Sequence, residues 1–320
     1  MRERIQWLYY WGRWKINFLY KQVMKRDFFN YEKKYGKNRF VSGEDGNLLL
    51  KQKILSGEPF AFCRFGMSEI DYVVNCKKDE LWGTDSFKNQ LDVKNMFELY
   101  PDDGGLGLKR FAEIMNHACE TADFIGVWTS KWMGDYYTTT IKNVKEKKIG
   151  SAIMGEPYYF KEPWSEALAN KKVLIINPFV DIIKEQYLNN RERLFKDKNI
   201  LPKFELLTLK SIWFDSAGKD PRFNSWFEVY DYIFEEAMKK DFDIALLGCG
   251  TFGFPLAARF KEAGKQAIHI GGAAQILFGV MGKRWENMDQ FKEFFNEYWV
   301  RPEKPQIDLN YKKLDNACYW

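Results

Sequence analysis

Three stretches of the chain combine residue types that handle phosphate. The first, Gly248-Cys249-Gly250-Thr251-Phe252-Gly253, matches G-x-G-x-x-G between the apolar run Asp243–Leu247 and a helical pattern with Pro255 in its first turn. Glycine lets backbone N–H groups approach an anion at a helix N-terminus, where the helix dipole favours negative charge. The second is Arg64-Phe65-Gly66-Met67-Ser68-Glu69, which joins a guanidinium suited to a bidentate grip on diphosphate with a carboxylate one helical turn in. Glu69 suits a catalytic acid or base, or a ligand for a divalent metal. Asp71, two residues on, is a second candidate catalytic carboxylate but does not share Glu69's helical face. The third begins at Gly271-Gly272 and continues through Gln275 to Gly282-Lys283-Arg284-Trp285, where Trp285 suits stacking on a base and Lys283 or Arg284 suits phosphate. The expected donor-binding set is Arg64, Gly66, Gly248, Gly250, Thr251, Gly253, Gly271, Gly272, Gln275, Lys283 and Arg284.

Each stretch also has a purely structural reading. The glycines suit a tight βα turn, Arg64 and Glu69 suit an ion pair beneath a loop, and Lys283-Arg284 suits a solvated surface. His269 reads more readily as a satisfied core group than as a catalyst, and Asp135 and Asp215 have no spacing that assigns a role. A nicotinamide site wants an acid after the second strand to hold the ribose, and Gly271-Gly272 stands there instead. No G-x-S-x-G elbow, H-E-x-x-H helix or Walker loop is present.

These stretches need a scaffold that brings them to one edge. Strand patterns at Phe60–Arg64, Phe124–Trp128, Lys172–Asn177, Phe204–Leu209, Asp243–Leu247 and Gln266–Ile270 alternate with helical patterns near 68–78, 108–122, 180–196, 224–239 and 254–263. That alternation predicts a doubly wound, mostly parallel α/β sheet of Rossmann type. Ligands then bind beyond the carboxyl ends of the strands, where all three stretches fall, together with Asn177-Pro178-Phe179. Residues 79–107 and 129–171 read as insertions, and the surroundings of Gly43–Gly46 as a loop. The expected division is an N-terminal helical segment at 1–40, one α/β domain at 41–300 and a tail at 301–320.

The net charge of +5 is uneven: residues 1–40 hold 11 Lys and Arg against 3 acids, leaving the other 280 residues at −3. A body so near neutral argues against nucleic acid as a partner. Five widely spaced cysteines without C-x-x-C, and only two histidines, fit a reducing compartment and exclude a His-rich metal site. No apolar run approaches the ~18 residues that span a bilayer. Residues 5–25 read as a helix with Trp7, Trp11, Trp14 and Phe18 on one face. That face suits packing on protein or, beside so many cations, peripheral contact with a membrane. The expected location is cytoplasmic.

The Phe62–Glu69 stretch, together with Ile244–Gly272 and its Gly-x-Gly, Pro-Leu-Ala-Ala and Ala-Ile-His-Ile-Gly-Gly, resembles the bacterial glycosyltransferases of the GT-D fold class. The resemblance implies a nucleotide-sugar donor, a uridine diphosphate sugar in the first place. It also implies a glycan, lipid-linked or protein-linked acceptor in surface-polysaccharide assembly. The family's Asp-x-Glu pair, associated with Mn or Mg, stands here as Met67 and Glu69, which puts metal dependence in question. Two other readings stay open: a nicotinamide or flavin oxidoreductase, and a non-catalytic scaffold on the same body.

Overall fold

The computed structural model describes residues 1–24, 40–41, 43–84, 106–127, 148–212, 214–215, 218–303 and 319. Its frame is a sheet of eight strands in the order β1-β4-β3-β2-β10-β9-β5-β6. In chain order these are β1 (Phe40–Val41), β2 (Phe60–Arg64), β3 (Phe124–Val127), β4 (Lys148–Ser151), β5 (Lys172–Asn177), β6 (Glu205–Lys210), β9 (Ile244–Leu247) and β10 (Gln266–His269). Every pairing in this sheet is parallel. A separate antiparallel pair is formed by β7 (Phe214–Asp215) and β8 (Gly218–Lys219).

The strand residues alternate between two cores, as a pleated sheet covered on both faces requires. Ala61, Cys63, Leu174, Ile176, Ala245, Leu247 and Ala267 point into one. Phe60, Phe62, Val173, Ile175, Ile244, Leu246 and Ile268 point into the other. Helices cover both sides. On the first lie α3 (Met67–Trp82), α4 (Leu106–Thr121), α6 (Trp226–Met238) and α7 (Gly253–Glu262). On the second lie α2 (Gly43–Ser56), α5 (Val180–Leu194) and α8 (Ala273–Leu277). Two short helices, α9 (Lys283–Glu286) and α10 (Asp289–Lys292), follow. The doubly wound parallel architecture is therefore the one the pattern predicts.

Chain order gives the sheet its functional edge. From β2 the chain steps outward through β3 to β4, then crosses to β5 and β6 and returns inward through β9 to β10, which pairs with β2. The winding reverses between β2 and β10, and such a reversal opens a crevice at the strands' carboxyl ends.

Three expectations need correction. The Gly43–Gly46 surroundings form α2, because Leu50 and Ile54 bury one face, and Gly46 is small where a Cβ would lie 2.8 Å from Met154 Sδ. The 129–171 insertion contains β4, a short strand between β1 and β3 recognisable by its pairing with both rather than by composition. β6 starts one residue later than its apolar pattern suggests. Trp128 and residues 129–147 lie outside the described residues, as do 85–105, Asp135, and 304–318 of the tail.

Ahead of the sheet, α1 (Arg2–Met24) rests on the C-terminal end of α3. Trp7 meets Trp82 edge-on at 5.2 Å, Arg4 Nε donates to Leu81 O at 2.6 Å, and Lys77 pairs with Glu3 at 3.4 Å. The aromatic face of this helix thus packs on the body at its N-terminal half. The side chain of Trp14 lies outside the description.

Candidate active site at the strand reversal

At the reversal, β2 ends in Arg64 and β10 runs on into Ile270-Gly271-Gly272. Arg64 Nη1 donates to Ile270 O at 2.6 Å and Nη2 to Glu156 Oε1 at 3.0 Å, with both side chains 11% exposed. The other carboxylate oxygen of Glu156 accepts from Tyr158 OH at 2.9 Å. Burial, then the nearby Glu156 charge, pushes the Tyr158 phenol far up, so it stays a donor. The alternative structural reading pairs Arg64 with Glu69, and the carboxylate recorded on Arg64 is Glu156. Arg64 thereby ties β2 to the turn after β10 and to the 152–158 segment.

The three glycines of the next turn have three different reasons to be glycine. A Cβ on Gly248 would lie 2.7 Å from Ala274 Cβ and Asn177 Nδ2 and 2.8 Å from Gly271 O, so this residue lets two turns pack closely. Asn177 Nδ2 also donates to Gly248 O at 2.9 Å, while its Oδ1 accepts from Phe179 N. A Cβ on Gly253 would lie 2.5 Å from His269 Nε2, so the start of α7 sits flat on the imidazole. Gly250 alone has φ +61° and nothing within 4 Å of a Cβ position. Its conformation is left-handed and its outer face is open. Thr251 beside it accepts from Trp226 Nε1 at 2.9 Å, which anchors the turn to α6. The open turn therefore leads into the N-terminus of α7, where the first N–H groups lack partners within the helix.

His269 is only 4% exposed, yet its Nδ1 has no hydrogen-bond partner. Burial, and then the Arg64 charge, brings its pKa down to about 3, so the ring is neutral at physiological pH. The expectation of a satisfied core histidine holds for burial and fails for satisfaction.

A second cluster adjoins the first through Gly271-Gly272. Gly271 has φ +57°, and a Cβ there would lie 3.5 Å from Arg64 Nη1. A Cβ on Gly272 would lie 3.1 Å from Trp285 Cζ2 and 3.5 Å from Tyr319 Cε1. Tyr319 occupies this corner: its main-chain oxygen accepts from Gln275 Nε2 at 3.0 Å and its phenol oxygen from Arg284 Nη1 at 3.2 Å. The Arg284 guanidinium also lies 4.7 Å from the Tyr319 ring centroid, and Trp285 meets that ring edge-on at 6.2 Å. Lys283 is exposed.

Glu69 is 8% exposed and stands three residues after Gly66, the N-cap of α3. Its carboxylate fills the space a Gly66 Cβ would need, so Gly66 is small in order to admit it. The side chains of Met67, Ser68 and Asp71 lie outside the description. Among the described residues no three His, Cys, Asp or Glu converge as a metal site requires.

Of the residues expected from sequence, the structure gathers Arg64, Gly253 and Gly271 around His269, packs Gly248 on Gly271, and gathers Gly272, Gln275 and Arg284 around Tyr319. Sequence reasoning missed Glu156, Tyr158 and Tyr319. The first two follow Gly155 among 3₁₀ turns too short to show a period, and the third is remote in sequence from the described residues it touches.

No family model and no curated protein matches the chain. Among solved structures it aligns with a domain of unknown function 1792 described as having a distinct glycosyltransferase fold, at 15% identity and TM-score 0.45, over 89% of this chain and 96% of that one. A selenomethionine-substituted structure of that domain aligns at 13% identity and TM-score 0.45, over 84% and 97%. A glycosyltransferase of the same domain from Streptococcus sanguinis aligns at 11% identity and TM-score 0.42, over 87% and 97%. These scores lie below one half, and the functional conclusion rests on the site's own geometry.

Proposed function

We propose that the chain is a glycosyltransferase that moves a sugar from a nucleoside diphosphate sugar, a uridine diphosphate sugar in the first instance, to a hydroxyl of a glycan, lipid-linked or protein-linked acceptor. The observation that carries this reading is the junction at Gly271-Gly272. On one side stands an open glycine turn at a helix N-terminus, and on the other an aromatic corner with two side-chain donors. Diphosphate and base are the two parts of a nucleotide that such halves recognise. Tyr319 presents a planar ring and two oxygen acceptors to Gln275, Arg284 and Trp285, and a uracil carries the same features. Base binding then displaces the Tyr319 ring.

Sugar transfer breaks the bond between the anomeric carbon and a diphosphate oxygen, and negative charge grows on the leaving group. N–H groups of the Gly250–Phe252 turn and the α7 dipole stabilise that charge, with Lys283 close by in sequence to Arg284 as an exposed cation. The acceptor hydroxyl attacks the anomeric carbon and surrenders its proton to a carboxylate, for which Glu69 in the first turn of α3 is the described candidate. Arg64, already bound to Glu156 and Ile270, supports the floor of the crevice.

The test is calorimetric titration of the full chain with UDP, several UDP-sugars and other nucleotide sugars, each with and without Mn²⁺, followed by assay of UDP release. Binding of a uridine nucleotide, weakened about tenfold by Gly250→Val, is the expected result. If no nucleotide binds under any condition, the proposal is wrong.

A further inference from the structure

With its aromatic half against α3, α1 turns a different face outward. Ile5, Leu8, Gly12, Ile16, Leu19 and Val23 recur at intervals of three and four, so they form one stripe along the helix, with Tyr9 at its edge. The side chains of this stripe are well exposed: Ile5 61%, Leu8 52%, Tyr9 56%, Ile16 57%, Leu19 63% and Val23 78%. This is an apolar stripe about five turns long, whereas most of the other large hydrophobics among the described residues are buried. It lies opposite Trp7 and Tyr10, which pack against the core. Helical geometry places Lys15 on one flank of the stripe and Arg2 and Arg13 on the other. Arg13 lies 5.6 Å from the Tyr9 ring centroid and Lys15 5.5 Å from that of Trp11.

We infer that this outward stripe is a docking surface for an anionic lipid bilayer, with α1 lying in the plane of the headgroups. The charge pattern selects this occupant. Across α1 there are five Lys and Arg against a single Glu, so a second copy laid on the stripe would bring like-charged flanks together. Anionic headgroups meet those same flanks with opposite charge while the stripe enters the acyl boundary. No helix among the described residues is long and apolar enough to cross a membrane, which leaves a surface-lying helix as the geometry for contact. The surface differs from the one the sequence pattern suggests, because the Trp7 side is engaged with Trp82. It would hold the enzyme at a bilayer whatever its donor, and it does not depend on the glycosyltransferase reading.

The test is co-sedimentation of the full chain with vesicles of phosphatidylcholine alone and of phosphatidylcholine with one quarter phosphatidylglycerol, at low and high salt. The wild type is expected to bind the anionic vesicles, to bind neutral ones weakly, and to lose binding as salt rises. The double variant Ile16→Asp/Leu19→Asp should partition roughly tenfold less or worse. Its melting temperature should match the wild type's, because both side chains are exposed. A second variant, Arg2→Gln/Lys15→Gln, should reduce binding to anionic vesicles while leaving the weak neutral binding unchanged. Absence of vesicle binding, or binding unchanged in the Asp variant, overturns the inference. A concentration-dependent dimer that the Asp variant abolishes, without vesicle binding, also overturns it and assigns the face to a second copy.

Discussion

The floor of the crevice and its rim are built on opposite principles. On the floor, charged and polar side chains satisfy one another: Arg64 with Glu156 and Ile270 O, and Glu156 with Tyr158. On the rim, side chains are removed: Gly250 stands over open space at φ +61°, and Gly271 turns the chain at φ +57°. The residues that look most chemical in the sequence are thus largely structural supports, and backbone left bare by glycine is what faces a ligand. An anion is better served by fixed N–H groups than by a guanidinium already neutralised by a buried carboxylate.

The contrast can be broken most forcefully at the floor. Arg64→Met leaves Glu156 buried without its cation, and the unfolding free energy should fall by about 3–5 kcal/mol. Adding Glu156→Gln should recover much of that loss, because the stranded charge is gone. A loss for Arg64→Met below about 1 kcal/mol in denaturant titration would mean the pair holds nothing. Next in size is Gly248→Ala, whose Cβ would press on Ala274, Asn177 and the Gly271 carbonyl at 2.7–2.8 Å. About 2–3 kcal/mol is expected from such overpacking, read by the same titration.

His269 adds a pH dependence of known sign. Its folded pKa of about 3 lies below the ordinary imidazole value of 6.5, so the unfolded chain binds more protons between those values. Stability should therefore decline as pH falls through this window, by at most about 1.4 kcal/mol per unit from this group, and be unaffected by it above. His269→Gln should flatten that part of the profile. An unchanged slope would show that other groups set it.

Gly250→Ala lies at the opposite extreme from Gly248→Ala. Open space removes the clash, and only the left-handed backbone costs about 1 kcal/mol. Uridine nucleotide affinity should nevertheless drop more than in any variant of the floor that still folds. The smallest effect expected is a gain: Tyr319→Ala removes a ring that competes for the Arg284–Trp285 corner, and UDP affinity should rise roughly threefold. Weaker binding in this variant would show that Tyr319 helps to form the subsite.

The sheet was legible because Val173–Ile176 and Ile244–Leu247 are apolar runs buried on both faces, a pattern few other structures demand. β4 and α2 were obscured by composition, since lysines lead into the one and glycines open the other. At the site, glycine spacing marked the correct turn but could not show which glycine faces outward, because close packing and open approach select the same residue type. The partner of Arg64 was invisible for a simpler reason. Glu156 lies 92 residues away in a segment with no period, and only the fold brings the two together.

The central claim is that the bare backbone of the Gly250 turn meets the diphosphate. Glycine-selective ¹⁵N labelling reduces the amide spectrum to the 23 glycines of the chain, and UDP can then be titrated into the folded protein. The amides of Gly250 and Gly253 should shift saturably, with smaller changes at Gly271 and Gly272 and none at the remote Gly57 and Gly264. Saturable UDP binding that leaves Gly250 and Gly253 unmoved would contradict the account.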